Sequence, residues 1–436
     1  MALGGGTWTA QDKVLPGTYI NFASRVQAAA VLSDRGIAAA PFVLSWGPEK
    51  TVFEVTAQKL AKDCKKIFGY SYDAPELIAL REIFANAVKV YCYRLGEGTK
   101  AANTYATAKY AGARGNALKI KITADADNTG YFVVATLLDG EVVDEQTVNS
   151  VTALKANDFV DWKSDFSLAA AAGTALTGGA DCVSITGTHY QACLDAFESY
   201  SFNALCCPAT DAVTVGLFAN YTKRMRDTLG KKFQLCAIKP TADYEGIIGV
   251  WNTAELNGTA SDALVYWVTG AESNAAVNRS LTNTLYNGEL TVDTAYTQSA
   301  LESAVKAGKF MLHAVGDKVR VLCDINTLTT YTDEKSADFA DNQTVRICDQ
   351  IANDSAVLFN TRYVGAVPND ASGRAALWND LVKIIKRLEQ LRAIENFDEN
   401  SVTVEPGDTK GSVVFTLNGL GIVNAMQQLY MSVVIQ

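Results

Sequence analysis

The stretch FNALCCPATDAVTVGLFANYTKRMRDTLGKKFQLCAIKP, residues 202–240, decides the fold class. Its two ends, FNALCCP and KKFQLCAIKP, are short apolar runs without alternation. Strands covered on both faces read this way, whereas strands with one wet face alternate. The residues between, from Asp211 to Gly230, are helical. Strand, helix, strand in this order implies a parallel sheet with helices on both faces.

Working outward, residues 183–330 continue the alternation. A helix at about 187–200 places Tyr190, Cys193, Leu194 and Phe197 on one face. EGIIGVWN and DALVYWVTG are further apolar runs, followed by a helix from about residue 272 and the hairpin KFMLHAVGDKVRVLCDI. Residues 31–96 read as a small α/β unit of their own. There, the run AAAPFVLSWGPEK and the strand VKVYCYRL bracket two helical patterns, the second with Leu77, Leu80, Ile83 and Phe84 on one face.

Residues 97–182 change character. ALKIKITAD, GYFVVATLLDG and EVVDEQTV are short alternating strands between turn residues, and Asp139-Gly140 marks a hairpin. This segment is expected to be an inserted antiparallel β-domain ending at the linker LTGGAD, residues 176–181, whose glycines precede a strand. Residues 331–425 hold a helix near 341–358, a second long helix after Gly373, and then strands. Leu377, Leu381, Ile384, Ile385, Leu388 and Leu391 form the apolar stripe of the second helix, and Lys383, Lys386 and Arg387 lie on or near its opposite side.

The two ends are unusual. Residues 1–30 read as an arm in which TYINF, with Tyr19, Ile20 and Phe22 of strand type, follows Pro16-Gly17. Residues 426–436 close the chain with an uncharged run: Leu429, Met431, Val433 and Ile435 alternate with Tyr430, Ser432 and Val434. One reading is an edge strand of the chain's own last domain. The other is β-augmentation, in which the arm adds to a sheet in a neighbouring copy.

Chemistry is sparse. The net charge of −9 argues against nucleic acid as a main partner. No apolar run reaches about 18 residues, so no membrane insertion is expected. The start lacks the pattern of a secretory signal. The nine cysteines are scattered without a C-x-x-C and read as reduced, packed thiols. The two histidines, His189 and His313, sit at a helix start and in a strand, outside any nucleophile elbow. No catalytic residue, no metal site and no cofactor are expected.

Read in order, LPGTYINF (15–22), VLSWGPEK (43–50), LTGGAD (176–181), WVTGAESNAAVNRSLTN (267–283), YVGAVPNDASGR (363–374), AIENFDENSVTVEPGD (393–408) and MQQLYMSVVIQ (426–436) resemble contractile phage tail sheath proteins of Gram-positive phages and phage-tail-like bacteriocins. The resemblance implies an α/β multidomain chain. It would hold an inserted antiparallel β-sandwich (97–182), a non-catalytic subtilisin-like α/β domain (183–330), an α+β C-terminal domain, and extended N- and C-terminal strand arms. It implies a helical homopolymer of stacked rings around a tail tube protein, with baseplate and tail terminator proteins at its ends. The arm strands Tyr19, Ile20, Phe22, Leu429, Tyr430, Met431, Val433, Val434 and Ile435 would link subunits, and the helix bearing Lys383, Lys386 and Arg387 would face the tube. Such a protein is made in the host cytoplasm and becomes part of a virion or bacteriocin particle. Another self-assembling shell protein and a subtilisin-like hydrolase are the competing readings.

Overall fold

The computed structural model describes residues 33–434. Tyr19, Ile20 and Phe22 of the first arm, and Ile435 of the last, lie outside the described residues. In chain order the first segment gives β1 (Ile37–Phe42), β2 (Val52–Thr56), α1 (Ala57–Phe68), α2 (Ile78–Phe84) and β3 (Lys89–Arg94). The next gives β4 (Ala106–Ala108), β5 (Leu118–Ala124), β6 (Phe132–Leu138), β7 (Glu141–Val148), β8 (Val160–Trp162) and β9 (Ala171–Ala175). The third gives α3 (Gly187–Phe197), β10 (Ala204–Cys207), α4 (Ala212–Lys223), β11 (Gln234–Ile238), β12 (Ile247–Val250), β13 (Ala254–Leu256), β14 (Thr259–Ala260), α5 (Leu264–Asn274), β15 (Thr291–Val292), α6 (Gln298–Lys306), β16 (Lys309–Phe310), β17 (Leu312–Val315) and β18 (Lys318–Val321). The last gives α7 (Asn342–Arg362), α8 (Ala371–Gln390), β19 (Ile394–Glu395), β20 (Val402–Pro406), β21 (Val413–Leu417) and β22 (Gly421–Ile422).

One seven-stranded sheet organises the body, in the order β16-β12-β11-β10-β1-β3-β2. Every neighbouring pair is parallel except β2 with β3. Successive side chains point to opposite faces. Ala38, Ala40, Cys92, Cys206, Cys236 and Ile248 therefore enter one core with α1, α2 and α5, while Ala39, Leu205, Cys207, Leu235 and Ile247 enter the other with α3 and α4. The apolar runs of residues 202–240 lack alternation because both faces are covered.

Two expectations are corrected here. Residues 31–96 are not a small unit with its own core: β1 pairs with β10 as well as β3, so this segment is half of the body sheet. The inserted β-domain separates the halves in sequence, and the Asn203 side chain ties them by accepting from the Ile37 N–H at 3.1 Å. DALVYWVTG is also helix, not the run before one. α5 begins at Leu264, and every residue from Leu264 to Ser273 is buried. A helix covered on all sides has no polar face to betray its period.

In the insert, β7-β6-β5-β9 form an antiparallel sheet, and β4 pairs with β8. Leu118, Ile120 and Ile122 of β5 are buried while Lys119 and Lys121 are exposed. Asp139 and Gly140 turn the β6–β7 hairpin at φ +54° and +87°, the positive pair that a two-residue hairpin loop favours. Trp46 of the body enters the insert's core and donates its indole N–H to Lys66 O at 3.3 Å. The LTGGAD glycines are followed by coil and then α3, not by a strand.

Asp341 caps α7 by accepting from the N–H groups of Gln343 and Thr344, and Asp370 caps α8 by accepting from Gly373 N–H. Gly373 has to be glycine: a Cβ there would meet Pro368 O at 2.0 Å. Leu377, Leu381, Ile384, Ile385 and Leu388 are all buried, as the stripe predicts. They pack under the β20–β21 hairpin and against α7.

Candidate functional site

The C-terminal tail leaves the body at a built root. The buried Gln343 amide behaves like a strand partner, donating to Val423 O and accepting from Ala425 N–H, each at 3.1 Å. Asn424 bonds Thr344 through its side chain, and Gln427 donates to the Asp341 carboxylate at 3.1 Å. Burial, with the nearby Asp324 charge, pushes the Asp341 carboxyl up, and the hydrogen bonds it accepts oppose that rise.

Beyond the root, the chain makes no backbone hydrogen bond among the described residues from Met426 to Val434. Leu429, Tyr430, Met431, Val433 and Val434 are 70–88% exposed. Among the described residues, 426–434 pair with no strand of the chain's own last domain. A run of large apolar side chains held in water is costly unless something covers it.

Toward the C-terminal end of α7, away from the tail's root at Gln343, lies a second surface. β20 and β21 form a sheet of two strands, and no described strand pairs with the outer edge of β21. Beside it an apolar groove runs between α7, α8 and β21, with adjoining cavities of about 430 and 340 Å³. Phe359, Tyr363, Leu377 and Leu381 form its floor, and Val413 and Phe415 its wall.

Lys383, Lys386 and Arg387 of α8 are exposed, but they are already engaged. Lys383 reaches Asp380 at 3.0 Å, Lys386 pairs with Glu399, and Arg387 donates to Gln390. Burial opposes ionisation of Asp380. Hydrogen bonds from Tyr363 and Lys383 and the Arg362 charge outweigh it and hold the carboxyl below its ordinary value.

His189 and His313 stand apart from this surface. The His189 ring closes the first turn of α3 by accepting at Nδ1 from Thr186 N–H at 3.0 Å. It lines a pocket with Lys50, Glu97, Thr188 and Asp195, but Asp195 accepts from Gln191 instead of orienting the ring. His313 sits on β17, and partial burial lowers its pKa.

Four family models follow one another along residues 35–436: the tail sheath protein Gp18 domain III N-terminal region over residues 35–95, the phage tail sheath β-sandwich domain over 96–181, the phage tail sheath central domain over 184–327 and the phage tail sheath C-terminal domain over 334–436. The phage-like element PBSX protein XkdK of Bacillus subtilis is 31% identical over 99% of each chain. The chain belongs to the phage tail sheath family. Two solved sheath tail proteins agree. That of Desulfitobacterium hafniense has 36% identity and a TM-score of 0.78, over 89% of this chain and 93% of its own. That of Listeria innocua has 30% identity and a TM-score of 0.81, over 93% and 96%. The fold is also that of the anti-feeding prophage helical sheath in its contracted state, at 13% identity and TM-score 0.55 over 97% and 99%.

This sheath subunit also holds a cluster that no sequence pattern announced. Arg346 of α7 is fully buried and bridges Glu272 of α5 at 2.5 Å and Asp324 at 2.8 Å. Asn342 donates to Asp324 at 2.8 Å, and Leu281 N–H does the same. One turn further along α7, Asp349 receives both terminal nitrogens of the buried Arg226. The first half of α7 is thus locked into the body, while its second half and α8 carry the groove. The single signal in sequence was Glu272 itself, a carboxylate inside an apolar run. A buried charge needs a partner, but the sequence does not say which.

Proposed function

We propose that this contractile sheath subunit polymerises as stacked rings around a tail tube, linked by its tail. Residues 426–436 of one copy add to the open edge of β21 in another, so that alternate side chains cover the groove floor. Backbone pairing supplies the bond and the side-chain alternation supplies register. The observation that carries this reading is an exposed apolar tail, fixed at Gln343, on a chain that also presents an unpaired strand edge beside an apolar groove.

Residues 1–30 serve the same mesh as the second arm. The α8 face with Lys383, Lys386 and Arg387 turns toward the tube, although its intramolecular pairs leave only a modest positive surface. The body, a parallel sheet between two helical layers, is a subtilisin-like scaffold that carries no catalytic step. Contraction is a rigid-body rearrangement between two packings, because packed interfaces are bistable and not continuously deformable. The strand links persist because the chain bends at the joints around residues 418–426 while the ladder stays paired. A baseplate starts the stroke and a terminator protein closes the far end.

Removal of residues 427–436 tests the reading. The truncated protein is expected to stay folded and soluble, because the described residues 427–434 are all exposed. Negative-stain electron microscopy is expected to show no tubes, and ordered tubes would overturn the tail as the link.

A further inference from the structure

The tail's root and the groove sit at opposite ends of one helix. α7 runs as a single helix from Asn342 to Arg362. Val423 and Ala425 bond Gln343 in its first turn, and Gln427 bonds Asp341, its N-cap. Successive tail contacts therefore step backward along α7, and the tail leaves it heading away from the groove. The groove begins at Ser355 and continues past Phe359 to Tyr363. Between the two sites the helix is fixed at several points. Arg346 and Asp349 hold their buried partners, and Asp354 accepts from the N–H and hydroxyl of Ser33 at 3.1 and 2.6 Å.

The distances decide which copy's groove a tail can enter. From Asp341, α7 rises about 21 Å to Ser355 and about 27 Å to Phe359. An extended chain advances at most about 3.6 Å per residue. Leu429, two residues past Gln427, gains about 7 Å, and Met431 about 14 Å. Val433 gains about 22 Å, and only after the chain reverses the direction set by its root. The run Leu429–Val433 cannot lie along the groove of its own subunit. A neighbour's groove is subject to no such limit. A connection too short to span two sites gives an effective concentration near zero.

We propose that α7 is a spacer that bars the tail from closing on its own subunit, with the root at Gln343 and Asp341 aiming the tail outward. The proposal rests on the reading that the β21 edge is the tail's acceptor. Each free subunit then keeps its tail available and its acceptor open. The apolar side chains of the tail are buried only when copies join.

The test lengthens the joint in the full chain, with a flexible insert of about twelve Gly and Ser residues between Gln427 and Gln428. The site is exposed coil, which tolerates insertion, and the melting temperature is expected to stay unchanged. Such an insert spans about 19 Å on average and about 40 Å when extended, so the tail can turn back at millimolar effective concentration. The critical concentration for tube formation, followed by light scattering, is expected to rise at least about tenfold. In the variant diluted until it sediments as a monomer, the β21 amides are expected to exchange at least about tenfold more slowly than in the wild-type monomer, because the variant's own tail now covers them. An unchanged critical concentration with unchanged β21 exchange would overturn the spacer. A raised critical concentration without slower β21 exchange would also overturn it, since the lengthened tail would not be occupying its own groove. So would slow β21 exchange in the wild-type monomer that Leu429→Ser with Val433→Ser abolishes, which would show the natural tail already reaching home. Equal β21 exchange in wild-type monomer and wild-type tubes would overturn the acceptor reading itself, whatever the insert does.

Discussion

Replacing Arg346 by Met should destabilise the subunit strongly and in a pH-dependent way. Arg346 has no solvent exposure and its guanidinium serves two buried carboxylates, Glu272 and Asp324. Methionine keeps roughly the volume but removes the guanidinium that bridges that pair. Removing one partner from a buried charge cluster costs about 3–5 kcal/mol, most of it from the charges left behind. At about 2–4 °C per kcal/mol, the melting temperature should fall by about 6–20 °C. The two carboxyls respond differently. Burial, then the Asp324 charge, push Glu272 well above its ordinary value, while Arg346 opposes that rise. Burial also raises Asp324, but Arg346 and the groups hydrogen-bonded to it outweigh this and hold it low. A carboxyl with a raised folded pKa favours the fold below its unfolded value and loses that contribution as pH rises. Without Arg346 the burial of Asp324 is no longer outweighed and its carboxyl rises, so the deficit of R346M should be greater at about pH 8 than at about pH 5. Calorimetric unfolding of both proteins at the two pH values measures this. A deficit under about 1 kcal/mol, or one independent of pH, would refute the view that unpaired buried charge sets the cost. Adding Glu272→Gln and Asp324→Asn to R346M should restore much of the loss, because no charge then remains to be compensated.

Three further outcomes are expected. Leu429→Ser with Val433→Ser should raise the critical concentration for tube formation by about two to four orders of magnitude, from about 1.5–3 kcal/mol per side chain no longer buried; light scattering measures it, and the melting temperature of the subunit should not move. Lys383→Glu with Lys386→Glu should leave polymerisation intact, since surface pairs such as those with Asp380 and Glu399 contribute about 0–1 kcal/mol, but should weaken assembly on a tube in a salt-dependent way by co-sedimentation. Burial pushes the Cys207 thiol up to about 12 and Cys206 well above its ordinary value, so a thiol reagent near neutral pH should label neither in the native protein; rapid labelling would contradict the packed body sheet.

Much of the fold was legible because local periodicity encodes which face of an element is covered. The alternation of Lys119 and Lys121 with buried Ile120 and Ile122 announced a one-sided sheet. The stripe from Leu377 to Leu388 announced the face of α8 that packs. The Asp139-Gly140 turn and the uncharged tail were equally plain. The basic residues of α8 were visible too, but not their partners, since Glu399 meets Lys386 only once β20 has folded back over α8.

By itself the sequence determined most of the elements, their order, and the oddity of a bare apolar tail, because each depends on residues within a few positions of one another. Only the tertiary structure decided that residues 31–96 complete the sheet of residues 183–330, that α5 is a helix sealed on all sides, and that Arg346 finds Glu272 and Asp324. It also decided that α7, α8 and β21 enclose a groove at the far end of α7 from the tail's root. Those outcomes join segments far apart in the chain, where the gain comes from burial and charge pairing after folding and leaves no period or spacing to read beforehand.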